Sequence, residues 1–369
     1  MRVLITGADG FIGQNLRVRL SELNQHEVLT FVRGQSIDVL SDLVNQTDWI
    51  FHLAGINRPL DPGEFQTGNA DLTDVLCSLI SKSGRIIPIV LSSSTQSQLA
   101  NDYGKSKLSA ENALLQLRQQ INNPVFIYRL PNVFGKWSRP NYNSVIATFC
   151  YNIVHDLPIT INNADAPLTL VYIDDIIDAW INLLNSDLSN LNNYQQILPE
   201  YATTVGNIAA TIHGFKDSIQ SGITLPVGTG LTRALYSTYL SFLTTQNFAY
   251  QLTKHEDSRG VFVEMLKTPD SGQFSFFTAH PGITRGGHYH HTKTEKFLVI
   301  KGTAKYRFRH IVTGQYYELT VDGTNPTIVE TIPGWSHDIT NIGNDELVVM
   351  LWANEIFDRH KPDTINFTI

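Results

Sequence analysis

The spacing of apolar residues changes character once along these 369 residues, and that change restricts the fold more than any other feature. Up to about residue 180, short β-branched runs alternate with stretches rich in Leu, Ala, Lys, Glu and Gln at helical spacing. RVLIT (2–6), EVLTFV (27–32), WIFHL (49–53), IIPIVL (86–91) and VFIYR (125–129) read as buried parallel strands, with helices at 14–23 and 105–119 among the intervening segments. Such alternation implies right-handed crossovers and an α/β, Rossmann-like, doubly wound parallel sheet covered on both faces. After about residue 243 the texture becomes strand after strand, separated by Gly, Pro, Asn and Asp: VFVEMLK, QFSFFTAH, KFLVIKG, KYRFRHIV, QYYELTV, TIVETI, ELVVMLW. Short, evenly spaced strands predict an all-β barrel or sandwich. The expected division is an α/β domain over 1–243, with its substrate-binding part in about 130–243, and a β domain over 244–369.

Composition removes several classes of function. With 42% hydrophobic and 17% charged residues the chain is globular throughout. It is long enough to bury a sizeable core, so neither disulfides nor a structural metal is needed for folding. The two cysteines, Cys77 and Cys150, fit a reducing cytosol. A net charge of -7 argues against a nucleic-acid surface. No apolar run approaches the roughly 18 residues of a membrane helix, and the glycines of MRVLITGADGFIG interrupt the apolar stretch a signal peptide requires. A cytoplasmic protein with no nucleic-acid or membrane partner is expected.

Two constellations in the first half carry chemistry. Gly7, Gly10 and Gly13 follow the first strand and open a helix, where glycines allow a tight turn and close approach to a pyrophosphate at the helix N-terminus. Their spacing is G-x-x-G-x-x-G rather than G-x-G-x-x-G. Tyr103 and Lys107 stand four apart, on one face of a helix. A nearby ammonium favours the phenolate and draws a phenol of pKa about 10 toward the operating pH of a general acid or base. Upstream, Ser92, Ser93 and Ser94 follow the strand IIPIVL, at the edge of the sheet where ligands bind. The second strand ends Phe31-Val32-Arg33-Gly34, with no carboxylate for a ribose 2′-OH and with a guanidinium suited to a 2′-phosphate, which points to NADPH.

These pieces, together with His52-Leu53-Ala54-Gly55, Arg129-Leu130-Pro131-Asn132-Val133-Phe134-Gly135 and Val171-Tyr172-Ile173-Asp174-Asp175, resemble the short-chain dehydrogenase/reductase superfamily in its extended, sugar-nucleotide-acting branch. The resemblance covers residues 1 to about 240. It implies that Tyr103 donates the proton, that Lys107 holds the nicotinamide ribose and lowers the tyrosine pKa, and that a serine of the triple, Ser94 in first place, assists. Only nine positions separate Ser94 from Tyr103, fewer than is usual in that branch, so the choice among Ser92, Ser93 and Ser94 stays open. The cofactor would lie along Gly7, Gly10, Phe11, Ile12, Gly13, Arg33, Leu53, Ala54 and Gly55, with Asn132 and Arg129 toward the substrate.

In the β half, His288 and His290 project to the same side of a strand, His291 to the other, and a hairpin could return Glu295 beside them. Pro333-Gly334-Trp335-Ser336-His337 supplies a further imidazole. Three imidazoles and a carboxylate suit a divalent metal with room for a substrate oxygen. The two segments resemble the paired motifs of the cupins, a jelly-roll barrel family, which makes His288, His290, Glu295 and His337 the ligands. The second motif departs in having Pro333 and Gly334 adjacent.

A ketone reductase and a metal cupin on one chain fit a 4-keto sugar nucleotide, whose ketone acidifies the C3 and C5 protons. Stretches such as 140–151, 235–241 and 290–293 resemble the CapF family of bifunctional capsular-polysaccharide enzymes along the whole length. That resemblance implies C3 epimerisation of a UDP-linked 4-keto amino sugar in the cupin domain and NADPH reduction at C4, with zinc as the metal and a homodimer as the assembly. The rivals are a reductase whose cupin is only a dimerisation module, a non-reducing epimerase or dehydratase recycling NAD, and an iron-dependent cupin oxygenase.

Overall fold

The structure is a computed structural model that describes residues 1–59, 61, 63–189, 191–252, 255–257, 260–262, 272–355 and 360–369. Along the chain run β1 (Arg2–Thr6), α1 (Phe11–Leu23), β2 (Glu27–Phe31), α2 (Ile37–Gln46), β3 (Trp49–His52), α3 (Gly63–Phe65), α4 (Leu72–Ser83), β4 (Ile89–Ser94), α5 (Asp102–Ile121) and β5 (Val125–Leu130). There follow β6 (Asn132–Phe134), α6 (Val145–Val154), β7 (Pro167–Tyr172), α7 (Ile173–Leu184), β8 (Tyr194–Gln195), β9 (Tyr201–Thr204), α8 (Val205–Ser221) and α9 (Gly230–Leu240). The main sheet has the order β2-β1-β3-β4-β5-β8 and its pairs are parallel. One face packs Leu4, Ile50, Ile89 and Ile127 against Leu40, Leu76, Ile80 and Leu114 of α2, α4 and α5. On the other face Trp180 of α7 meets Phe51 and Tyr128, with ring centroids 5.4 and 5.8 Å away. The strand order reverses around β1, so the turn after β1 opens at the point where such sheets bind ligands.

The strand expected at 86–91 is displaced: β4 runs from Ile89 to Ser94. Pro88 has no N–H to give, and Ile87 donates instead to Asn123 Oδ1 at 2.8 Å. At the other end the three serines stay in the ladder, opposite Tyr128, Arg129 and Leu130 of β5.

The C-terminal strands are β10 (Ala249–Gln251), β11 (His255–Asp257), β12 (Gly260–Phe262), β13 (Gln273–Ala279), β14 (Thr284–Tyr289), β15 (Glu295–Lys301), β16 (Thr303–His310), β17 (Tyr316–Asp322), β18 (Thr327–Glu330), β19 (Trp335–Asn341), β20 (Leu347–Ala353) and β21 (Ile365–Asn366). They form two five-stranded antiparallel sheets, β10-β18-β15-β20-β13 and β17-β16-β19-β14-β21, with the separate hairpin β11-β12, a cupin-like fold. Most of the expected run VFVEMLK lies outside the described residues. β14 and β19 have no continuous apolar run to announce them, because glycines interrupt the first and the imidazoles of His288 and His337 stand among their residues.

Compactness divides the chain into Met1–Ser144 with Leu168–Thr203, and Val145–Pro167 with Thr204–Ile369. Thus α6, α8 and α9 group with the β-rich half, Phe215 of α8 lying 5.0 Å from Tyr236 of α9, ring to ring. The texture change at residue 243 marks where helices give way to strands. Among the described residues no helix is long and apolar enough to cross a membrane.

Candidate functional site

The turn after β1 is as tight as its glycines allow. Gly7 has φ +69, and a Cβ there would stand 2.7 Å from the Ala54 backbone. A Cβ on Gly13 would stand 2.3 Å from the Gly7 carbonyl oxygen. Gly10 caps α1 without a side-chain hydrogen bond, which leaves the first amides of the helix, including those of Phe11 and Ile12, for an anion. Since the obstructing atoms at Gly13 are backbone, Gly13→Ala is expected to cost about 1–3 kcal/mol and to lose nucleotide binding. Unchanged melting and NADPH titration would show that the turn can open.

Thr6 at the end of β1 holds the neighbouring loop. Its hydroxyl pairs with His52 Nδ1 at 2.7 Å and accepts from the Ala54 amide at 3.2 Å. His52 also meets the Thr73 hydroxyl at 2.9 Å, and burial, with Lys107 nearby, lowers its pKa to about 3, so it is a neutral structural brace. Leu53, Ala54 and Gly55 are thereby set beside the glycine turn. A Cβ on Gly55 would lie 3.2 Å from Lys107 Nζ.

α5 carries Tyr103, Lys107 and Glu111 at successive i,i+4 positions. Strand alternation sorts the serines facing it. Ser92 uses its carbonyl, which accepts from Lys107 Nζ at 3.0 Å, and the Ser93 hydroxyl donates to the buried Glu111 carboxylate. Ser94 is the serine whose hydroxyl interacts with the Tyr103 phenol. The expected lowering of the tyrosine pKa by Lys107 is not found: burial raises it, and Ser94 only partly offsets this. The Lys107 ammonium lies 6.0 Å from the ring centroid and is committed to Ser92. Burial lowers Lys107 itself to about 8, against the pull of Glu111.

Glu111 was not singled out from sequence, although the i,i+4 repeat continues to it. Burial pushes its pKa up, but hydrogen bonds from Arg129 and Ser93 outweigh that and keep it below the usual range. Arg129 grips it with NH2 at 2.6 Å and Nε at 3.1 Å, and lies 4.4 Å over the Tyr194 ring. Its guanidinium is thus engaged by a buried carboxylate. Asn132 is exposed and donates to the Thr169 carbonyl at 3.1 Å. Arg33 is exposed just past β2 and makes no ion pair among the described residues.

In the β-rich half, donor atoms of His288, His290, Glu295 and His337 all lie within 4.8 Å of one another. His288 of β14 is paired with His337 of β19, after a bulge at Gly286 and Gly287, where φ is +100 and +77. His290 lies just past the end of β14 rather than within it. Glu295 opens β15, its amide held by Thr331 Oγ1 at 2.8 Å. His290 Nδ1 donates to the Asp363 carbonyl at 2.6 Å, which leaves Nε2 as the available nitrogen, 3.2 Å from Glu295 Oε2. Among the described residues His337 Nε2 is buried with no hydrogen-bond partner, 3.6 Å from the same oxygen. Burial, then the neighbouring His337 and His290, lowers His288 to about 3. Burial raises Glu295, yet His290 and His337 outweigh it and leave the carboxyl well below its usual range. Imidazoles around a carboxylate, one with an orphaned buried nitrogen, fit a divalent cation.

His291 points elsewhere, its ring 5.5 Å from Tyr289. A residue the motifs did not reveal is Asp363. Its carboxylate accepts from the amides of His291, Thr292 and Lys293 at 2.9, 2.7 and 2.7 Å. Burial raises its pKa, but His291, His290 and those amides bring it down to about 2.

A nucleotide-type α/β sheet joined to a cupin-like domain with a metal-type donor set defines a fused, two-site protein. Residues 3–195 match the NAD dependent epimerase/dehydratase family and residues 255–365 the polysaccharide biosynthesis C-terminal domain. The chain is 56% identical over 364 residues to the UDP-2-acetamido-2,6-beta-L-arabino-hexul-4-ose reductase of Pseudomonas aeruginosa, covering 99% of this chain and 98% of that protein. It is similar over 100% of both chains to the capsular polysaccharide assembling protein CapF of Staphylococcus aureus, at 38% identity and a TM-score of 0.69. A UDP-glucuronic acid 4-epimerase of Bacillus cereus shares the fold over 66% of this chain and 98% of its own, at 19% identity and a TM-score of 0.56. The chain belongs to the CapF family.

Proposed function

We propose that the protein is a bifunctional sugar-nucleotide enzyme of surface-polysaccharide synthesis. In this reading the cupin-like domain carries out metal-dependent C3 epimerisation of a UDP-2-acetamido-2,6-dideoxy-4-hexulose. The reductase domain then reduces C4 with NADPH to UDP-N-acetyl-6-deoxy-L-talosamine, toward UDP-N-acetyl-L-fucosamine. The observation that carries the reading is a buried imidazole–carboxylate donor set in the same chain as a Ser94–Tyr103–Lys107 constellation. The kinship to a UDP-hexulose reductase supports the substrate class. A cupin serving only as a dimerisation module has no need of four converging donors. The family resemblance supports a homodimer, the two cysteines a reducing cytoplasm, and the change of texture domains at 1–243 and 244–369.

When bound, NADPH supplies hydride and a divalent ion, zinc by family resemblance, supplies Lewis acidity to a carbonyl oxygen. The chain contributes position and protons. Tyr103, kept protonated by burial, gives its phenolic proton to the C4 oxygen, and Ser94 hydrogen-bonds that oxygen. Lys107, beside Gly55, would hold the nicotinamide ribose. Asn132 meets the sugar from the exposed start of β6. His288, His290, Glu295 and His337 would hold the ion.

Incubation with the UDP-4-keto sugar and NADPH, followed by NMR of the product, tests this reading. NADPH oxidation with a C3-inverted 4-hydroxy sugar is expected, and no oxidation of NADPH overturns it. Cofactor choice has its own test. Arg33→Ala removes a charge-assisted contact to the 2′-phosphate and should raise KM for NADPH by about tenfold or more while sparing NADH. Equal use of both cofactors by the unaltered protein sinks that assignment.

A further inference from the structure

The donor set is held by a part of the chain that neither motif includes. His290 and Glu295 are separated by a turn whose amides at His291, Thr292 and Lys293 point at a single acceptor, the Asp363 carboxylate. The Thr292 hydroxyl donates to the same carboxylate at 3.1 Å. The backbone carbonyl of Asp363 takes the His290 Nδ1 proton. One residue, 70 to 73 positions away in sequence, therefore fixes both the path of the turn and the tautomer of a donor. Asp363 does this with φ +36, in the left-handed region that most side chains avoid. An unfavourable backbone conformation that survives is one the surroundings impose, and such positions cluster at functional sites.

The segment around Asp363 is anchored from both sides. β21 pairs with β14 so that Asn366 stands opposite His288, and the Phe367 amide donates to the Gly287 carbonyl at 2.8 Å. Ser336, next to His337, donates its hydroxyl to the Phe367 carbonyl at 2.6 Å. The C-terminal segment thus touches residues next to His288, His290 and His337.

We propose that Asp363 is the positioning residue of the metal centre: it builds the 291–293 turn and sets His290 Nε2 toward the ion before any ion arrives. This rests on the reading of the four donors as a metal site. Loss of a group that orients a ligand typically weakens metal binding by about 10–100-fold.

The test uses the full-length protein stripped of metal. Zinc affinity is measured by competition with a chromophoric chelator in the unaltered protein and in Asp363→Asn, which keeps the size but replaces an acceptor with an N–H donor facing other donors. Asp363→Asn should bind zinc about 10–100-fold more weakly, and the visible spectrum of its cobalt form should change as His290 is lost or reoriented. A merely structural Asp363 would lower the melting temperature and leave affinity and spectrum unmoved, and that result overturns the proposal. If Asp363→Asn fails to fold, hydrogen exchange on the unaltered protein decides. The amides of His291, Thr292 and Lys293 should be protected without metal, and unprotected amides overturn the proposal. Unaltered protein that binds no zinc removes the metal reading itself, whereas equal binding by both proteins removes only the role of Asp363.

Discussion

In D2O and without NADPH, the unaltered protein is expected to place deuterium on C3 of the UDP-4-keto sugar, and His290→Ala is expected to stop it. The substitution deletes a donor whose Nδ1 is anchored and whose Nε2 lies in the cluster. Metal binding and Lewis acidity fall together, and since the latter contributes several kcal/mol, exchange should drop by roughly two to three powers of ten. The Tyr103 site is chemically separate, so reduction of an already epimerised ketone should persist. NMR of the recovered sugar measures the first effect and NADPH absorbance the second. Exchange at the unaltered rate in His290→Ala would return the cupin-like domain to a structural role.

Tyr103→Phe is expected to have the converse effect. The ring still packs beside Phe65, with centroids 5.5 Å apart, so folding should be unchanged. What is lost is the proton donor to the C4 oxygen, and general acid catalysis contributes about 10²–10⁴-fold. NADPH oxidation should fall by that factor while deuterium exchange at C3 continues. Near-normal oxidation would falsify the role given to Tyr103. Together the two variants separate the half-reactions, which neither substitution can do alone.

Much of this protein was legible because its signals are local. The run VLIT followed by three glycines needs no distant partner to specify a strand, a tight turn and a helix start. Tyr103 and Lys107 sit at a helical spacing that α5 preserves, and Glu111 continues that face. The two histidine segments carried four side chains that converge in the fold, although His288 and His337 interrupt the apolar pattern of β14 and β19.

The sequence by itself determined the two architectures, the glycine turn and the identity of the donors, since each depends on periodicity or on spacing within one segment. The tertiary structure decided what distance along the chain conceals. Pairing of β4 with β5 carried the ladder through the serine triple, so alternation turned Ser93 toward Glu111 and left Ser94 for Tyr103. Burial of Glu111 brought Arg129 onto it, because an unpaired buried carboxylate is costly. Burial of Tyr103 raised a pKa that its neighbour in sequence was expected to lower. Return of the C-terminal segment brought Asp363 to the metal-donor turn, a contact across some seventy residues that no local pattern encodes.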